Sequence, residues 1–379
     1  MPPTQRAPVK SPTVHLSPTP TRTPPPTQPP AAPLLVPLID DADLVSGSHG
    51  WVQTHGRVYW TDDGGTSWRE ITPPIPEDAD LWWLRFLDAQ HGIALVVAKQ
   101  PGDGWPVDAR IVVLRTDDGG RSWAGPAEWA TLAFSSEGEL EYAFALSQDR
   151  IWVTVNMTQS MNSSVGEVFR TDDGGRSWSK ARLPYSGQVE FTSADNGFTA
   201  SSCCYGVIPQ LYRTHDGGWT WEQQTLAPIP DESRWYWHDY SMPVFFGARD
   251  GVTAVALRNT DGRPTDLALY RTRDAGASWE EIAVFAGASE SAGITSHSTA
   301  LDAASVKVWG VILGDEAAVT RDGGESFTEW PLAPMLGWVR KLLLSDGDLA
   351  WAVEVHNEGL KLFRTDDQGL HWEVVIGPW

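Results

Sequence analysis

RTDDGGRSW occupies residues 115–123 and recurs letter for letter at residues 170–178. Relaxing the match finds the whole series: TDDGGTSW from Thr61, TDDGGRSW from Thr116 and Thr171, THDGGWTW from Thr214, TRDAGASW from Thr272, TRDGGESF from Thr320 and TDDQGLHW from Thr365. There are seven copies of this eight-residue box. Its third residue is always Asp (Asp63, Asp118, Asp173, Asp216, Asp274, Asp322, Asp367), its fifth always Gly, and its eighth Trp or Phe. The copies recur at about 51-residue intervals, a spacing that belongs to propeller blades.

Each residue type has a mechanical reason to be in the box. A short Asp side chain accepts hydrogen bonds from the backbone just ahead of it, and Gly supplies the positive φ of a tight reversal. The box therefore reads as a hairpin turn. Short β-type runs lead into it, such as RIVVLR (110–115), LALYR (267–271) and LKLFR (360–364), and others lead out, such as WREI (68–71) and WEVVI (372–376). The closing aromatic reads as a plug over its own turn. A second hairpin precedes each unit, for example FLDAQHGIALVVA (86–98) and LLSDGDLAWAV (343–353).

Each repeat then holds four strands, and the fold expected is an all-β, seven-bladed β-propeller of four-stranded antiparallel blades over residues 34–379. Trp51, Ile93, Trp152, Phe198, Trp309 and Trp351 fall at matching places on the second strand and are expected to pack between blades. Arg115, Arg170, Arg213, Arg271 and Arg364 precede the box at one phase and are expected to make structural ion pairs.

The box is similar to the Asp-box, or bacterial neuraminidase repeat, and the chain beyond residue 33 resembles propellers that carry it. The Tyr-Arg-Thr-x-Asp-Gly-Gly-x-Ser-Trp core after a segment such as HGW (49–51) looks most like propellers related to the photosystem II assembly and stability factor. That resemblance implies a non-enzymatic binding protein. Sialidases and xyloglucan-cleaving glycosidases share the box, so the box reports the blade and leaves the chemistry open. A sialidase-like site implies an Arg-Ile-Pro segment, and none occurs here. A glycosidase needs two suitably spaced carboxyls, and Glu77, Asp80, Asp231 and Asp239 cannot be paired from sequence. A sialidase-like glycoside hydrolase is the alternative reading.

Forty-nine acidic against twenty-eight basic residues give a net charge of −21, which opposes nucleic-acid phosphates and anionic lipid. A protein or carbohydrate partner fits better, recognised by a monomer without membrane insertion. The boxes lack the spacing of a calcium loop, and neither metal nor cofactor is expected. Residues 1–33 are Pro- and Thr-rich with almost nothing to bury, so disorder is expected there. The chain starts at Met1 without an apolar signal segment, which leaves a longer natural N-terminus or a chain that is not exported. The tract resembles linkers of bacterial envelope proteins and favours an extracellular or envelope location.

Ligands are expected on the face opposite the boxes, where loops joining strands two to three and blade to blade gather. There Arg234, Trp235, Trp237, His238 and Tyr240 offer stacking faces and polar tips. Tyr205 stands beside the adjacent Cys203 and Cys204. Those two are either free thiols or a strained vicinal disulfide, since neighbouring Cα atoms lie about 3.8 Å apart.

Overall fold

The computed structural model describes residues 39–100, 106–125, 128–160, 163–200, 211–224, 226, 237–258, 264–286, 301–332, 338–356 and 359–376. They form seven antiparallel sheets, each a meander in chain order, arranged as a seven-bladed β-propeller. Blade 1 holds β1 Asp41–Ser46, β2 His49–Thr54, β3 Arg57–Thr61 and β4 Arg69–Glu70. Blade 2 holds β5 Ala79–Phe86, β6 Gly92–Ala98, β7 Asp108–Thr116 and β8 Ala130–Ala133. In blade 3 are β9 Glu139–Ala145, β10 Ile151–Ser160, β11 Ser163–Thr171 and β12 Ser179–Leu183, and in blade 4 β13 Val189–Phe191, β14 Gly197–Ala200, β15 Leu211–Thr214 and β16 Glu222–Gln224. Blade 5 has β17 Trp237–Tyr240, β18 Val244–Phe245, β19 Gly251–Arg258, β20 Pro264–Thr272 and β21 Glu280–Ala286. Blade 6 is β22 Leu301–Ala303, β23 Trp309–Ile312, β24 Glu316–Thr320 and β25 Thr328–Pro331; blade 7 is β26 Trp338–Leu344, β27 Ala350–His356, β28 Gly359–Thr365 and β29 Glu373–Ile376.

Blade 5 departs from the four-strand expectation because its first strand is broken. Both β17 and β18 pair with β19. Between them Ser241 turns its Oγ to accept a bond from the Ala254 amide at 2.9 Å. Pro243, in the same break, has no N–H to give to a ladder.

All seven boxes close in one way. In blade 3 the Thr171 hydroxyl donates to Asp173 Oδ1 at 2.8 Å and accepts from the Gly175 amide at 2.9 Å. The same carboxylate accepts from the Ser177 amide and hydroxyl at 2.9 and 2.6 Å. Blade 7 keeps the arrangement with His371 in place of the serine, its Nδ1 2.6 Å from Asp367 Oδ2. The closing indoles of Trp68, Trp178 and Trp221 donate to the glycine carbonyl of their own turn, as a plug should. Those of Trp123 and Trp372 instead reach the preceding blade, at Ile71 O and Pro331 O.

The boxes also rest on the hairpin between strands one and two. The amide of Gly64 donates to Ser48 O, Gly119 to Gln90 O, Gly174 to Asp149 O and Gly217 to Asp195 O. With the Ala275 amide on Arg249 O and that of Gly323 on Lys307 O, the two turns are locked together on one face of the ring in blades 1 to 6.

Blades are joined by a large residue meeting a small one. Trp152 of blade 3 stacks on Phe191 of blade 4, with centroids 3.8 Å apart and planes within 9°. Opposite Phe191 stands Gly197, where a Cβ would fall 2.5 Å from that ring. Phe198 and Phe245 with Gly251 repeat this between blades 4 and 5. Box-preceding arginines add a latch to the next box, Arg115 donating to Asp173 O at 3.5 Å and Arg271 to Gly323 O at 3.2 Å, and Arg69, just after the first box, does the same to Gly119 O at 3.0 Å. Arg115, Arg170, Arg271 and Arg364 do form ion pairs, as with Arg115 and Asp149 at 3.0 Å, and for the first three a carbonyl of the next blade is a second anchor.

One expectation is corrected by register. Trp51, Trp152 and Trp351 pair with the residue before the box threonine, but Trp309 pairs with Thr320 itself. A one-residue shift puts it on the other face of its strand. Trp309 accordingly packs back into the blade 5 cluster with Val252 and Leu269, and Gly310 takes the forward-facing position.

Candidate functional site

The first strands of all seven blades line a central channel that widens into a cavity of about 580 Å³. Its lining runs from the ends of these strands into the hairpins that follow them, for example Ser46–Gly47, Leu87, Leu146, Gly247 and Asp346. The boxes rest on those hairpins, so the cavity opens on the box face. Its size falls within the range of about 300–1,000 Å³ usual for ligand pockets.

Charged side chains enter from different blades. Asp43 comes from blade 1, Arg85 from blade 2, Glu190 from blade 4 and Asp302 from blade 6. Asp302 Oδ2 accepts the Leu344 amide of blade 7 at 2.7 Å. Burial nevertheless pushes its carboxyl up to about 7, with Asp43 adding to the rise and Lys341 opposing it. Glu190 is likewise pushed to about 7 by burial, against the pull of Arg85. Arg85 lies over the Phe144 ring at 4.8 Å. Behind the lining, Lys341 donates to Ala42 O at 2.7 Å and stands 3.4 Å from Asp41. Burial works against its charge, and Asp41, Asp43 and Asp302 outweigh that, raising its pKa. Glu141 and Tyr142 of blade 3 are both raised by burial, Glu141 to about 7.

This cluster was missed in the sequence. Its members are scattered over 300 residues, one or two per blade, and the signal available was a charged residue inside an otherwise apolar first strand, as in ADLWWLRF around Arg85.

The residues singled out from sequence fare differently. Arg234, Trp235, Tyr205, Cys203, Cys204 and Asp231 lie outside the described residues. Trp237, His238 and Tyr240 belong to β17, paired with Arg258, Leu257 and Val255, and the side chains of Trp237, His238 and Asp239 lie outside the described ones. Tyr240 is half-buried against the blade 4–blade 5 cluster around Phe198 and Leu257. Asp80 stands 3.6 Å from Lys99, which also donates to Glu77 O. Asp63, Asp118, Asp173, Asp216, Asp274, Asp322 and Asp367 all sit in their turns and accept bonds from the residue four positions on. Side-chain bonds from Ser122, Ser278 and Ser326 help to hold Asp118, Asp274 and Asp322 at about 2.

No family model matches the chain. Among curated proteins, it is 24% identical over 205 residues to the photosystem II assembly lipoprotein Ycf48 of Synechococcus sp. (strain CC9902), covering 52% of this chain and 54% of that protein. Among solved structures, Ycf48 bound to D1 peptide superposes with a TM-score of 0.52 at 17% identity, covering 88% of this chain and 93% of that one. The propeller is shared with Ycf48. A xyloglucanase of Paenibacillus sp. is 23% identical over 272 residues, 63% of this chain and 25% of the enzyme. A puromycin hydrolase superposes with a TM-score of 0.52 at 11% identity, over 91% of this chain and 55% of that one. The chain thus matches about half of Ycf48 and a quarter of the xyloglucanase in sequence.

Proposed function

We propose that this chain is a non-catalytic, Ycf48-like binding propeller that holds a segment of a partner protein, in an extracellular or envelope location with the Pro/Thr-rich tract as tether. The observation that carries this reading is the state of the charges in the central cavity. Asp302 is tied to the Leu344 amide, Lys341 to Asp41 and Ala42, and Arg85 to the Phe144 face. Such pairings fix the walls of a socket. The likeness to Ycf48, whose structure holds a D1 peptide, supports a protein segment as ligand. The net charge of −21 favours a segment that is neutral or basic. The cavity is preferred because charged side chains from four blades converge in it.

The alternative reading, a glycoside hydrolase, is favoured by a single observation. Glu190 and Asp302 share one cavity with pKa values near 7, the kind of perturbation that general acids carry.

One sample decides. A peptide array, a glycan array and a fluorogenic glycoside panel are run on the parent and on Glu190→Gln. Peptide binding without turnover, weakened at least tenfold by Glu190→Gln, supports the socket. Glycoside turnover lost in Glu190→Gln overturns it in favour of the enzyme.

A further inference from the structure

The junction of blades 5 and 6 breaks the packing rule of its neighbours. Where Trp152 and Phe198 send an aromatic forward, blade 5 has Val252, paired with Arg271 before the box threonine. Blade 6 answers with Trp309, one residue out of register. The exchange fills the depth of the junction but not its rim on the box face. A hollow of about 240 Å³ remains there, sharing no lining residue with the central cavity. That is smaller than a drug-sized pocket and suits one residue-sized group.

Its chemistry is two-sided. Over the fully buried Val252 and Trp309, the half-buried Phe246 and Val306, 48% exposed, give the hollow its apolar floor. Arg271, Arg273 and Lys307 bring three cations, and Asp250, Asp322 and Glu325 three carboxylates. Most of this charge is already committed. Asp322 accepts from the Thr320 hydroxyl, the Glu325 and Ser326 amides and the Ser326 hydroxyl. Arg271 is within 3.5 Å of both Glu325 and Glu280. Among the described residues, the charged lining groups left with neither an ion pair nor a side-chain hydrogen bond are Arg273, Lys307 and Asp250. Two free cations against one free carboxylate, above an apolar floor, run counter to the acidity of the whole chain.

We propose that this hollow is a binding site for a carboxylate carried on a compact apolar group, with the apolar part on Phe246 and Val306 and the carboxylate at Arg273 and Lys307. Two sources offer that chemistry: a free apolar carboxylic acid and the C-terminal residue of a peptide. The uncommitted cations supply charge-assisted hydrogen bonds that an amide of the same shape cannot match.

The full chain is titrated by calorimetry with N-acetyl-leucine, with N-acetyl-leucine amide, and with a tetrapeptide ending in leucine as free acid and as amide. At least one free acid should bind at least tenfold more tightly than its amide, and the tetrapeptide pair tells which source is accepted. Arg273→Gln with Lys307→Gln, two exposed changes that leave the core intact, should remove that preference. Val306→Trp, at an exposed lining position, should fill the hollow and abolish binding while Glu190→Gln leaves it unchanged, which separates this site from the central socket. Absence of binding by both free acids, equal binding of acid and amide, or a preference that survives the double variant overturns the proposal.

Discussion

The indole of Trp351 in blade 7 donates to the carbonyl of Gly64 in blade 1 at 3.2 Å, across 287 residues of chain. The same bond joins Trp152 to Gly217 between blades 3 and 4 at 3.1 Å, so the ring closes with the device that joins interior blades. Arg364 adds a bond to Thr66 Oγ1 at 3.4 Å, and Ile39 bridges Leu360 beyond the Leu362–Ile376 pair at the outer edge of blade 7. Trp351→Phe should cost about 1 kcal/mol for the lost bond, and Trp351→Ala about 3–5 kcal/mol for the cavity. Gly50→Ala would place a Cβ 2.4 Å from the Trp351 ring and should cost about 1–3 kcal/mol by overpacking. Urea melts of the three variants check this ordering.

Asp173→Ala should destabilise the fold by about 1–3 kcal/mol, because the Ser177 amide and the Thr171 and Ser177 hydroxyls lose their acceptor. Ligand binding, measured on the folded protein, should not change. A variant that melts like the parent yet fails to bind would show that the turn contacts the ligand.

Ala275 occupies a left-handed turn position, φ 61°, where five other boxes have a glycine of φ 69–79°. Left-handed backbone costs an L-residue about 1–2 kcal/mol, while glycine adds about 0.5–1 kcal/mol of chain entropy. Ala275→Gly should therefore raise stability by up to about 1 kcal/mol. The reverse change at Gly174 should cost about 1–2 kcal/mol for its left-handed backbone, with the Arg115 guanidinium swinging aside to admit the Cβ. Thermal melts compare the two.

Stability should peak near pH 4 to 5 and fall on both sides. Box aspartates such as Asp118 and Asp322, lowered from 3.8 to about 2, stabilise above the unfolded value, and that contribution is lost as pH falls through 3.8 toward 2. Glu190 and Asp302 are raised from 4.5 and 3.8 to about 7. Their native proton is an advantage fully present below the unfolded values and lost as pH rises toward about 7. Urea midpoints measured from pH 3 to 8 should show both limbs, and Glu190→Gln with Asp302→Asn should reduce the upper one alone, leaving the part due to Glu141.

The blade count, the strand count per blade and the role of each box residue were legible in the sequence because they are local. A turn four residues wide satisfies its own amides, so Thr171, Asp173, Gly175 and Ser177 can be read in order without knowing what lies across the ring. The same holds for the plug of Trp178, which bonds within its own turn. The register of Trp309 was not legible, because one residue added or removed in a hairpin leaves composition and periodicity unchanged and only strand pairing shows which face a side chain takes. Nor was the central cavity, whose Asp43, Arg85, Glu190 and Asp302 meet only when seven first strands are brought around one axis. Hydrogen bonds within a turn are written in adjacent residues. Burial of charge in a channel is a property of closure, and it was the tertiary structure that decided it.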